Sequence, residues 1–377
     1  MAGRYEIAAY YFPNYHVDPR NEQLYGAGWT EWELVKHAQP RFEGHRQPRV
    51  PQWGYEDEAN PKVFARKIGA AVDHGLTSFI FDWYWYNDGA FLNRCLEEGY
   101  LGADNRESLK FALMWANHNW VDIFPLKRSQ YQNPLLLYPG SVTEQTFDRM
   151  TDTIIERYFS QPSYWKIDGC PYFSIYELFR LIEGLGGLDH AQQALERFRT
   201  KTRAAGFPDL HLNAVVWGVQ LLPGETRLAN PREMLKLLGF DSVTSYVWVH
   251  HIDFTDFPVT DYHHVREQMK PYNRQAAAEY GLPYYPNVTM GWDSSPRTVQ
   301  SDQFDRLNYP FTPTFGGNTP EAFRTALEDV KAFLETQPHK IFNINAWNEW
   351  TEGSYLEPDT VYGMAYLEAI KAVFSGG

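Results

Sequence analysis

The 377-residue chain contains only two cysteines, Cys95 and Cys170, which lie in unrelated sequence contexts. They form no C-x-x-C pair, so the sequence predicts two free thiols rather than a disulfide or a cysteine-based metal site. A chain of this length can bury a large hydrophobic core without covalent cross-links. The class of small, disulfide-stabilised domains is therefore excluded.

Basic residues are outnumbered, with 34 Lys and Arg against 47 Asp and Glu, for a net charge of −13. This balance excludes nucleic acid and an anionic membrane as expected partners, because both attract basic surfaces. No apolar run reaches about 18 residues, and no signal-like segment precedes the first predicted strand, so we expect a cytoplasmic chain. The sequence leaves the oligomeric state open.

Nucleotide-binding motifs are also missing. Neither G-x-G-x-x-G nor G-x-x-x-x-G-K-[ST] follows any predicted strand, which excludes the commonest nucleotide-binding loops. No Gly/Ser-rich linker, block of like charges or low-complexity tract divides the chain, so the sequence predicts a single catalytic domain over residues 1–377.

Strand-like and helical segments alternate along the whole chain. This pattern predicts an α/β fold, a single (β/α)8 TIM barrel with long βα loops forming the active-site face, since each parallel strand needs a crossover helix. A doubly wound open sheet is the alternative. The predicted strands are Tyr5–Tyr11, Leu76–Tyr84, Lys110–Trp115, Pro171–Tyr176, His211–Trp217, Ser242–Val249, Tyr284–Met290 and Ile341–Ala346. The predicted helices are Pro61–His74, Ala90–Glu98, Thr143–Phe159, Asp189–Ala204, Pro231–Leu238, Tyr262–Tyr280, Pro320–Glu335 and Tyr362–Phe374.

Aromatic residues are abundant, with 13 Trp, 25 Tyr and 24 Phe, and many of them stand with polar residues at the predicted strand ends. In a barrel these ends open onto one face, where active sites lie. Aromatic rings with a polar tip suit half-apolar ligands such as sugars. The sequence therefore predicts a sugar-binding cleft. Its expected contacts are Tyr11, His16, Trp29, Glu31, Asp82, Trp85, Trp115, Asn117, His118, Asn119, Tyr176, Trp248, His250, Trp292 and Asn348.

Metal chemistry is a weaker interpretation of the same residues. Three histidines (His16, His118 and His250) and two aspartates (Asp82 and Asp293) could meet at the barrel mouth, but no H-x-H or H-E-x-x-H spacing is present. We therefore predict no metal site and no cofactor.

The strongest local signal is the run W-N-E-W-T-E at the predicted end of the last strand, where Glu349 and Glu352 lie three positions apart. On one turn of helix, residues at this spacing are about 5–6 Å apart at Cβ. That is close to the roughly 5–5.5 Å between the two carboxyl groups of retaining glycosidases. A pair of exposed loop glutamates is the alternative interpretation.

Several segments resemble the WbsX-like proteins, which are related to glycoside hydrolase family 99. They include Tyr10–His16 (Y-Y-F-P-N-Y-H), Gly28–Trp32, Trp115–Trp120, Gly291–Asp293 and Trp347–Gly353. The resemblance implies a (β/α)8 barrel and an endo-acting, retaining α-mannosidase with an N-E-W-x-E motif. It would make Glu349 the base that assists the 2-hydroxyl and Glu352 the general acid/base. Thr351 departs from family 99, where the position is usually His.

The sequence and the resemblance together predict a retaining glycoside hydrolase that cleaves α-linked, manno-configured bonds, of mannose or rhamnose type, in an oligosaccharide or polysaccharide. Two alternatives stay open. One is a glycosyltransferase of O-antigen or capsule biosynthesis, although neither D-x-D at a strand end nor a glycine-rich phosphate turn is present. The other is a carbohydrate-binding protein without catalysis.

Overall fold

Eight parallel strands form the core of the molecule. The computed structural model describes residues 5–218, 221, 225 and 230–374. The barrel strands are β1 Glu6–Tyr11, β2 Ser78–Tyr86, β3 Lys110–Trp115, β4 Cys170–Ile175, β5 His211–Val215, β6 Ser242–Thr244, β7 in two parts (Tyr284–Tyr285 and Asn287–Thr289) and β8 Ile341–Asn345. Each pairs with its sequence neighbour, and β1 also pairs with β8. Ala8 lies opposite Ser78 on one side and Asn343 on the other.

The barrel closes at β7, which Pro286 divides. Proline has no N–H group, so it interrupts the ladder of hydrogen bonds. Tyr284–Tyr285 pairs with β6, whereas Asn287–Thr289 pairs with β8. The Pro286 carbonyl still accepts a hydrogen bond from the Asn343 N–H at 3.0 Å. The chain is therefore a (β/α)8 TIM barrel, as the sequence predicts.

Ten α-helices of the described residues surround the barrel or lie in its loops. They are α1 Pro19–Tyr25, α2 Trp32–His37, α3 Pro61–Asp73, α4 Glu144–Ile154, α5 Leu178–Gly184, α6 Leu188–Ala204, α7 Pro231–Leu237, α8 Tyr262–Glu279, α9 Pro320–Glu335 and α10 Ala365–Phe374. Their apolar faces cover the strands; α9, for example, buries Phe323, Leu327 and Val330. No helix of the described residues is long and apolar enough to cross a membrane.

Shorter elements shape the loops. Two π-helices span Cys95–Tyr100 and Ile155–Phe159, and 3-10 turns span Arg106–Ser108, Arg128–Gln130, Trp248–His250, Ser295–Arg297 and Trp350–Glu352. Short strands pair outside the barrel ladder: Gly89–Phe91 with β2, Trp120–Val121 with Leu136–Tyr138, Lys166–Ile167 with β4, Val259–Asp261 with Thr314–Gly316, and Asn348–Glu349 with Ser354–Tyr355.

The predicted helix Ala90–Glu98 is wrong. The chain turns back after β2, so that Gly89–Phe91 forms an antiparallel strand against Tyr84–Tyr86 and the helical part, of π type, begins only at Cys95. Gly89 (φ 115°) and Leu92 (φ 56°) have positive φ angles, which a helix does not allow. The predicted strands five and six are also shorter, because both end before the loops that carry polar residues.

The start of α3 offers a test of local stability. Asn60 caps the helix, since its side-chain oxygen accepts the Lys62 N–H at 3.0 Å and Pro61 occupies the first helical position. We expect Asn60→Ala to lower the free energy of unfolding by about 1 kcal/mol, measured by urea denaturation. Asn60→Asp, which keeps the acceptor, is the control. Equal losses in both variants would contradict the capping role.

Candidate active site

A pocket of about 650 Å³, counting its open mouth, lies among the loops that follow the barrel strands. This is the face where TIM-barrel active sites lie. The pocket is lined by Phe12, Asp82, Tyr84, Met114, Ala116, His118, Asn119, Trp120, Val121, Ile123, Phe124, Tyr176, Leu221, Tyr246, Val247, His250, Arg297, Glu349 and Glu352. The lining thus combines aromatic and aliphatic walls with a small set of ionisable groups, which is typical of a small-molecule site.

The two glutamates stand on a short hairpin after β8. Asn348–Glu349 pairs with Ser354–Tyr355, and a 3-10 turn over Trp350–Glu352 connects them. Gly353 closes the turn at φ 64°, where a Cβ atom would lie 2.7 Å from Cβ of Asp293. A side chain at Gly353 would therefore be strained and would also clash. The hairpin brings both carboxyl groups to the same pocket.

Two tryptophans anchor this hairpin from behind. The indole N–H groups of Trp347 and Trp350 donate to opposite oxygens of Glu357, at 2.9 and 2.8 Å. Lys67 pairs with the same carboxylate at 2.7 Å, and all four side chains are buried. A buried carboxylate is tolerated when it is paired and hydrogen-bonded. This cluster therefore fixes the hairpin without using either pocket glutamate.

Asn348 and Thr351 hold the hairpin from the side. The Asn348 amide donates to the Phe12 carbonyl at 2.7 Å and accepts the Phe12 N–H at 2.8 Å. The Thr351 hydroxyl donates to Glu31 Oε1 at 2.5 Å. Glu31 also accepts from the Asn14 amide at 2.7 Å. These contacts connect the glutamate hairpin to the long loop after β1.

Arg297 joins the two pocket glutamates. Its guanidinium donates from Nη1 to Glu352 at 2.6 Å and approaches Glu349 with Nη2 at 3.4 Å, while Nε donates to Glu31 at 2.8 Å. The same group lies over the rings of Phe12 and Phe124, 5.2 and 5.6 Å from their centroids. A planar cation with five donors suits such a site, because it can serve several carboxylates at once.

The loop that carries Arg297 is itself fixed by Asp293. Its Oδ2 atom accepts hydrogen bonds from His45 and Gln47, each at 2.8 Å, and lies 3.3 Å from Arg49 Nη2. Burial works to raise the pKa of Asp293, but the hydrogen bond from His45 and the Arg49 charge outweigh it and hold this pKa well below its usual range. Asp293 is thus an ionised support for the Ser295–Arg297 turn.

Burial raises the pKa of both pocket glutamates. For Glu349, the charge of Glu352 raises the pKa further, and only Arg297 opposes this change. For Glu352, burial raises the pKa, whereas Arg297 and the hydroxyl of Tyr309 work to lower it. The Tyr309 hydroxyl donates to Glu352 Oε1 at 2.7 Å. Because Glu352 has the better donors, its pKa is raised less than that of Glu349, so of the two carboxyl groups Glu352 is the more easily ionised.

The pKa values of Asp82, His118 and His250 in the pocket are also shifted from their usual values. Burial and the Glu352 charge raise the pKa of Asp82, although the Tyr246 hydroxyl donates to its Oδ2 at 2.8 Å. Burial lowers the pKa of His118 to about 4 and that of His250 to about 3. Both imidazoles are therefore neutral at pH 7.

A family model described as "Glycosyltransferase WbsX" matches residues 7–370. The chain belongs to the WbsX family. It is also similar to the uncharacterized protein WxcX of two Xanthomonas campestris pv. campestris strains, with 29% identity over 97% of this chain and 49% of WxcX. This WbsX-family chain thus spans about half the length of the curated relatives it matches. The resemblance found in the sequence is confirmed.

Solved structures share the fold of the WbsX-family chain. The GH99 endo-alpha-mannosidase from Bacteroides thetaiotaomicron, in complex with BIS-TRIS-propane, has a TM-score of 0.61 and 13% identity, covering 98% of this chain and 96% of that one. A "glycoside hydrolase-like protein" also has a TM-score of 0.61, with 18% identity and coverage of 98% and 94%. The Thermotoga maritima beta-glucosidase with castanospermine has a TM-score of 0.51 and 11% identity, covering 100% and 99%. The WbsX-family chain therefore has a glycosidase-like barrel.

The structure brings seven of the residues predicted from the sequence together around the pocket. They are Asp82, His118, Asn119, Tyr176, His250, Glu349 and Glu352. The two glutamates and Asp82 are nearly inaccessible to solvent, so the alternative of exposed loop glutamates does not apply. The Asn119 side-chain oxygen accepts the Gly140 N–H at 2.9 Å, and the Tyr176 hydroxyl donates to Glu225 at 2.8 Å.

The other ten predicted contacts are not part of the pocket lining and have other neighbours. They are Tyr11, His16, Trp29, Glu31, Trp85, Trp115, Asn117, Trp248, Trp292 and Asn348. Three of the five tryptophans among these residues have indole N–H groups that donate to protein acceptors: Trp115 to the Trp85 carbonyl, Trp248 to the Asn287 carbonyl and Trp292 to Thr312.

The remaining seven also make contacts within the protein. Tyr11 and His16 bind Glu58, at 2.9 and 3.1 Å, and Asn117 bridges the backbone of Glu177. Trp29 packs on Tyr25, with 4.5 Å between ring centroids, and Trp85 packs on Trp83, at 5.4 Å. Glu31 and Asn348 support the glutamate hairpin from outside the lining.

Sequence reasoning missed Arg297 and most of the apolar wall. Arg297 follows Trp292 and Asp293 in an irregular loop, where no periodic pattern marks an inward-facing cation. The wall formed by Trp120, Val121, Ile123 and Phe124 comes from the segment after Asn119. Trp120 ends the segment Trp115–Trp120, so the sequence of this segment could have indicated Trp120 as a lining residue.

The five residues considered for a metal site do not meet in one cluster of the described residues. His118, His250 and Asp82 line the pocket, whereas Asp293 supports the Arg297 loop. His16 instead lies with Glu58 and Cys95, and one potential ligand atom of each falls within 4.8 Å of the others. Glu58 already accepts hydrogen bonds from the Tyr15 N–H and the Tyr11 hydroxyl, which accounts for this group as a polar network of the core.

The raised pKa of Glu349 predicts a pH-dependent cost to stability. At low pH Glu349 is protonated in both the folded and the unfolded state. As the pH rises above the usual glutamate pKa of 4.5, Glu349 ionises first in the unfolded state, so the free energy of unfolding falls. Glutamine has no proton to lose. We therefore expect the Glu349→Gln variant to equal the wild type near pH 4 and to exceed it by about 1 kcal/mol or more at pH 8.

Urea denaturation at the two pH values measures this difference. Glu368→Gln is the matched control, because Glu368 is exposed on α10 and its replacement should give a small difference that does not change with pH. A Glu349→Gln difference that stays constant, or falls, between pH 4 and pH 8 would show that Glu349 is not held protonated in the folded state.

Proposed function

We propose that this chain is a retaining glycoside hydrolase that cleaves α-linked, manno-configured bonds, of mannose or rhamnose type, in an oligosaccharide or polysaccharide. One observation carries the proposal: two buried carboxyl groups, Glu349 and Glu352, share one guanidinium at a pocket in a glycosidase-like barrel. Glycoside hydrolysis needs this pairing, because one group must donate a proton while the other stabilises or supplies the attack at the anomeric carbon.

In the proposed reaction, Glu349 is the base that removes the proton of the sugar 2-hydroxyl, whose oxygen attacks the anomeric carbon. Glu352 donates its proton to the leaving oxygen as the glycosidic bond breaks, which gives a 1,2-anhydro sugar. Glu352 then takes a proton from water, the water oxygen attacks the anomeric carbon, and O2 recovers its proton from Glu349. Attack by O2 requires it to be anti to the leaving group, as in α-mannosides and α-L-rhamnosides.

The hydrogen bonds from Arg297 and Tyr309 favour the charged form of Glu352, whereas its proposed role as an acid needs the protonated form. The proposed roles therefore require a proton to move from Glu349 to Glu352 when the substrate binds. Hydroxyl groups of the sugar can drive this change, because a hydroxyl that donates to Glu349 favours its charged form. The two carboxyl groups titrate as a pair, so a charge that forms on Glu349 raises the pKa of Glu352.

A glycosyltransferase is the second candidate, and the description of the family model favours it. A nucleotide-sugar donor brings a diphosphate, which needs cations or free backbone N–H groups. Among the described pocket residues, Arg297 is the only lysine or arginine, and Glu31, Glu349 and Glu352 already surround it. This charge balance supports a neutral substrate and hydrolysis over transfer from a nucleotide sugar.

Glutamine replacements test the catalytic roles. General acid catalysis contributes about 10²–10⁴-fold, so Glu352→Gln should lower kcat by at least about that factor on a natural glycosidic linkage and much less on an activated aryl glycoside. Glu349→Gln should lower both rates alike, and Glu368→Gln should lower neither. The substrates are α-mannan and rhamnan oligosaccharides and 4-nitrophenyl glycosides of both sugars.

Each result has a defined meaning. If Glu349→Gln alone spares the aryl glycoside, the two roles must be exchanged. Full activity of both glutamine variants would contradict hydrolysis by this pair. Release of sugar from a nucleotide-sugar donor onto an acceptor, with no hydrolysis of any oligosaccharide, would favour the transferase instead.

Arg297 should control the pH dependence of this activity. Its charge lowers the pKa of Glu349 and Glu352, so Arg297→Gln should raise both pKa values and move the acidic limb of the kcat/KM profile to higher pH. We expect kcat to fall at least about tenfold. Arg297→Lys keeps the charge but loses the planar fork, so it should leave the limb closer to that of the wild type. An unmoved acidic limb in both variants would contradict this role.

A further inference from the structure

Three residues of the pocket carry buried polar atoms that have no hydrogen-bond partner among the described residues. These atoms are Oδ1 of Asp82, Nε1 of Trp120 and both ring nitrogens of His250. The three side chains are almost completely buried, with exposed fractions of 3%, 3% and 0%. Buried polar groups are normally paired, because an unpaired one loses its hydrogen bonds to water. Their occurrence together at one pocket needs an explanation.

Asp82 is only half satisfied. The Tyr246 hydroxyl donates to Oδ2 at 2.8 Å and thereby fixes the orientation of the carboxyl group, while Oδ1 has no partner. The Tyr246 ring in turn packs against Tyr10 and Tyr176, at centroid distances of 4.6 and 5.5 Å. The carboxyl group therefore cannot turn away without breaking a buried contact, and Oδ1 is held ready for a ligand hydroxyl.

Trp120 and His250 are held by ring contacts rather than by hydrogen bonds. The Trp120 ring stacks between Phe124 and His118, at 5.2 and 6.1 Å, which leaves its N–H at the ring edge. His250 packs against Trp217 at 5.6 Å. Its Nε2 atom lies 3.7 Å from Glu225 Oε1, which is beyond hydrogen-bond distance.

The three orphaned groups lie along one continuous aromatic wall. Tyr84 contacts Trp120 and His118, at 5.0 and 5.8 Å, and Tyr176 contacts His118 and His250, at 5.6 and 6.3 Å. Along this wall the pocket offers an indole donor, a carboxyl group and a neutral imidazole, which has one donor and one acceptor. A sugar ring presents hydroxyl groups that each donate and accept, together with apolar C–H faces that suit aromatic walls.

The charges define the ligand further. Both pocket histidines are neutral at pH 7, and the Arg297 guanidinium already contacts the side chains of Glu31, Glu349 and Glu352. A carboxylate or sulfate on the sugar would have to be buried here with no second cation of the described lining to pair with it, which is costly. The site is therefore built for an uncharged sugar.

We propose that Asp82, Trp120 and His250 are specificity-determining residues that bind hydroxyl groups of one uncharged pyranose ring, other than the 2-hydroxyl used in the reaction. The identity of the sugar class rests on the proposed function, but binding through these atoms does not depend on catalysis. The orphaned atoms gain their partners only when the sugar enters. A sugar that lacks one of these hydroxyls leaves a buried group unpaired and is rejected.

The test is a binding measurement by isothermal titration calorimetry, with the Glu352→Gln chain used throughout so that no probe is turned over. The probes are α-linked mannobioses, α-linked rhamnose disaccharides, and mannobioses oxidised to a carboxylate at C6. Trp120→Phe and His250→Phe remove the ring nitrogens but keep a ring. Asp82→Ala removes the carboxyl group, and Asp82→Asn keeps an acceptor for Tyr246 in case the alanine variant does not fold.

The chain offers two matched controls, Trp83 and His251, which directly follow Asp82 and His250 in the sequence. Trp83 and His251 also carry buried ring nitrogens with no partner among the described residues, but neither lines the pocket. Trp83 stacks on Trp85, and His251 stacks on Tyr272. Trp83→Phe and His251→Phe therefore remove buried ring nitrogens in the same way without touching the proposed ligand site, although His251 as a whole residue is only half-buried.

We expect each pocket variant to raise the Kd of the neutral disaccharide that the parent chain binds about tenfold or more. The two control variants should change this Kd less than about twofold. The carboxylated mannobioses should bind to the parent chain at least about tenfold more weakly than the neutral ones. Equal effects in pocket and control variants, equal binding of charged and neutral probes, or no binding of any neutral probe would overturn the proposal. Selective loss of binding in a chain that hydrolyses nothing would support this site and remove only the proposed catalysis.

Discussion

The structure of the site depends on one buried cation. Arg297 lies between Phe12 and Phe124 and serves Glu31, Glu349 and Glu352 at once. Removing a guanidinium from water is costly, and only close carboxylates with good hydrogen-bond geometry offset that cost. The carboxylates in turn could not stay together in an apolar pocket without the cation. The contacts of Arg297 and the charge states of the glutamates beside it therefore depend on one another.

Separate contacts hold the two halves of this cluster in place. Glu357 and Asn348 fix the glutamate hairpin to the barrel, while Asp293 fixes the loop that carries Arg297. The Glu352 carbonyl accepts the Asp293 N–H at 2.5 Å and connects the two halves directly. None of these supports lines the pocket. Supporting groups that are themselves locked by hydrogen bonds hold the two pocket glutamates in a fixed position.

The sequence predicts the barrel and the glutamate pair better than it predicts the remaining pocket. The barrel follows from local signals, because strand–helix alternation and helix caps such as Asn60 repeat along the chain. Glu349 and Glu352 lie in one short segment, so their proximity follows from spacing. Ten expected sugar contacts, such as Trp248 and Trp292, lie away from the lining. They are aromatic and polar residues like those of the lining, so only the direction of each side chain distinguishes the two groups. Arg297 depends on an irregular loop, whose path no periodicity encodes.

The described pocket lining has more acidic side chains than lysines and arginines. This composition helps to relate the two comparisons, since the family model is described as a glycosyltransferase and the barrel resembles those of glycosidases. A protein that transfers sugar from a diphosphate donor must neutralise the leaving group. Arg297 is the one arginine of the described lining and already contacts Glu31, Glu349 and Glu352, so this lining offers no free cation to such a leaving group. A pocket glutamate that is ionised beside the bound sugar would favour a developing positive charge at the anomeric carbon, which is the charge that cleavage of a glycosidic bond creates. This balance of charges is the physical basis on which we propose hydrolysis rather than transfer from a nucleotide sugar.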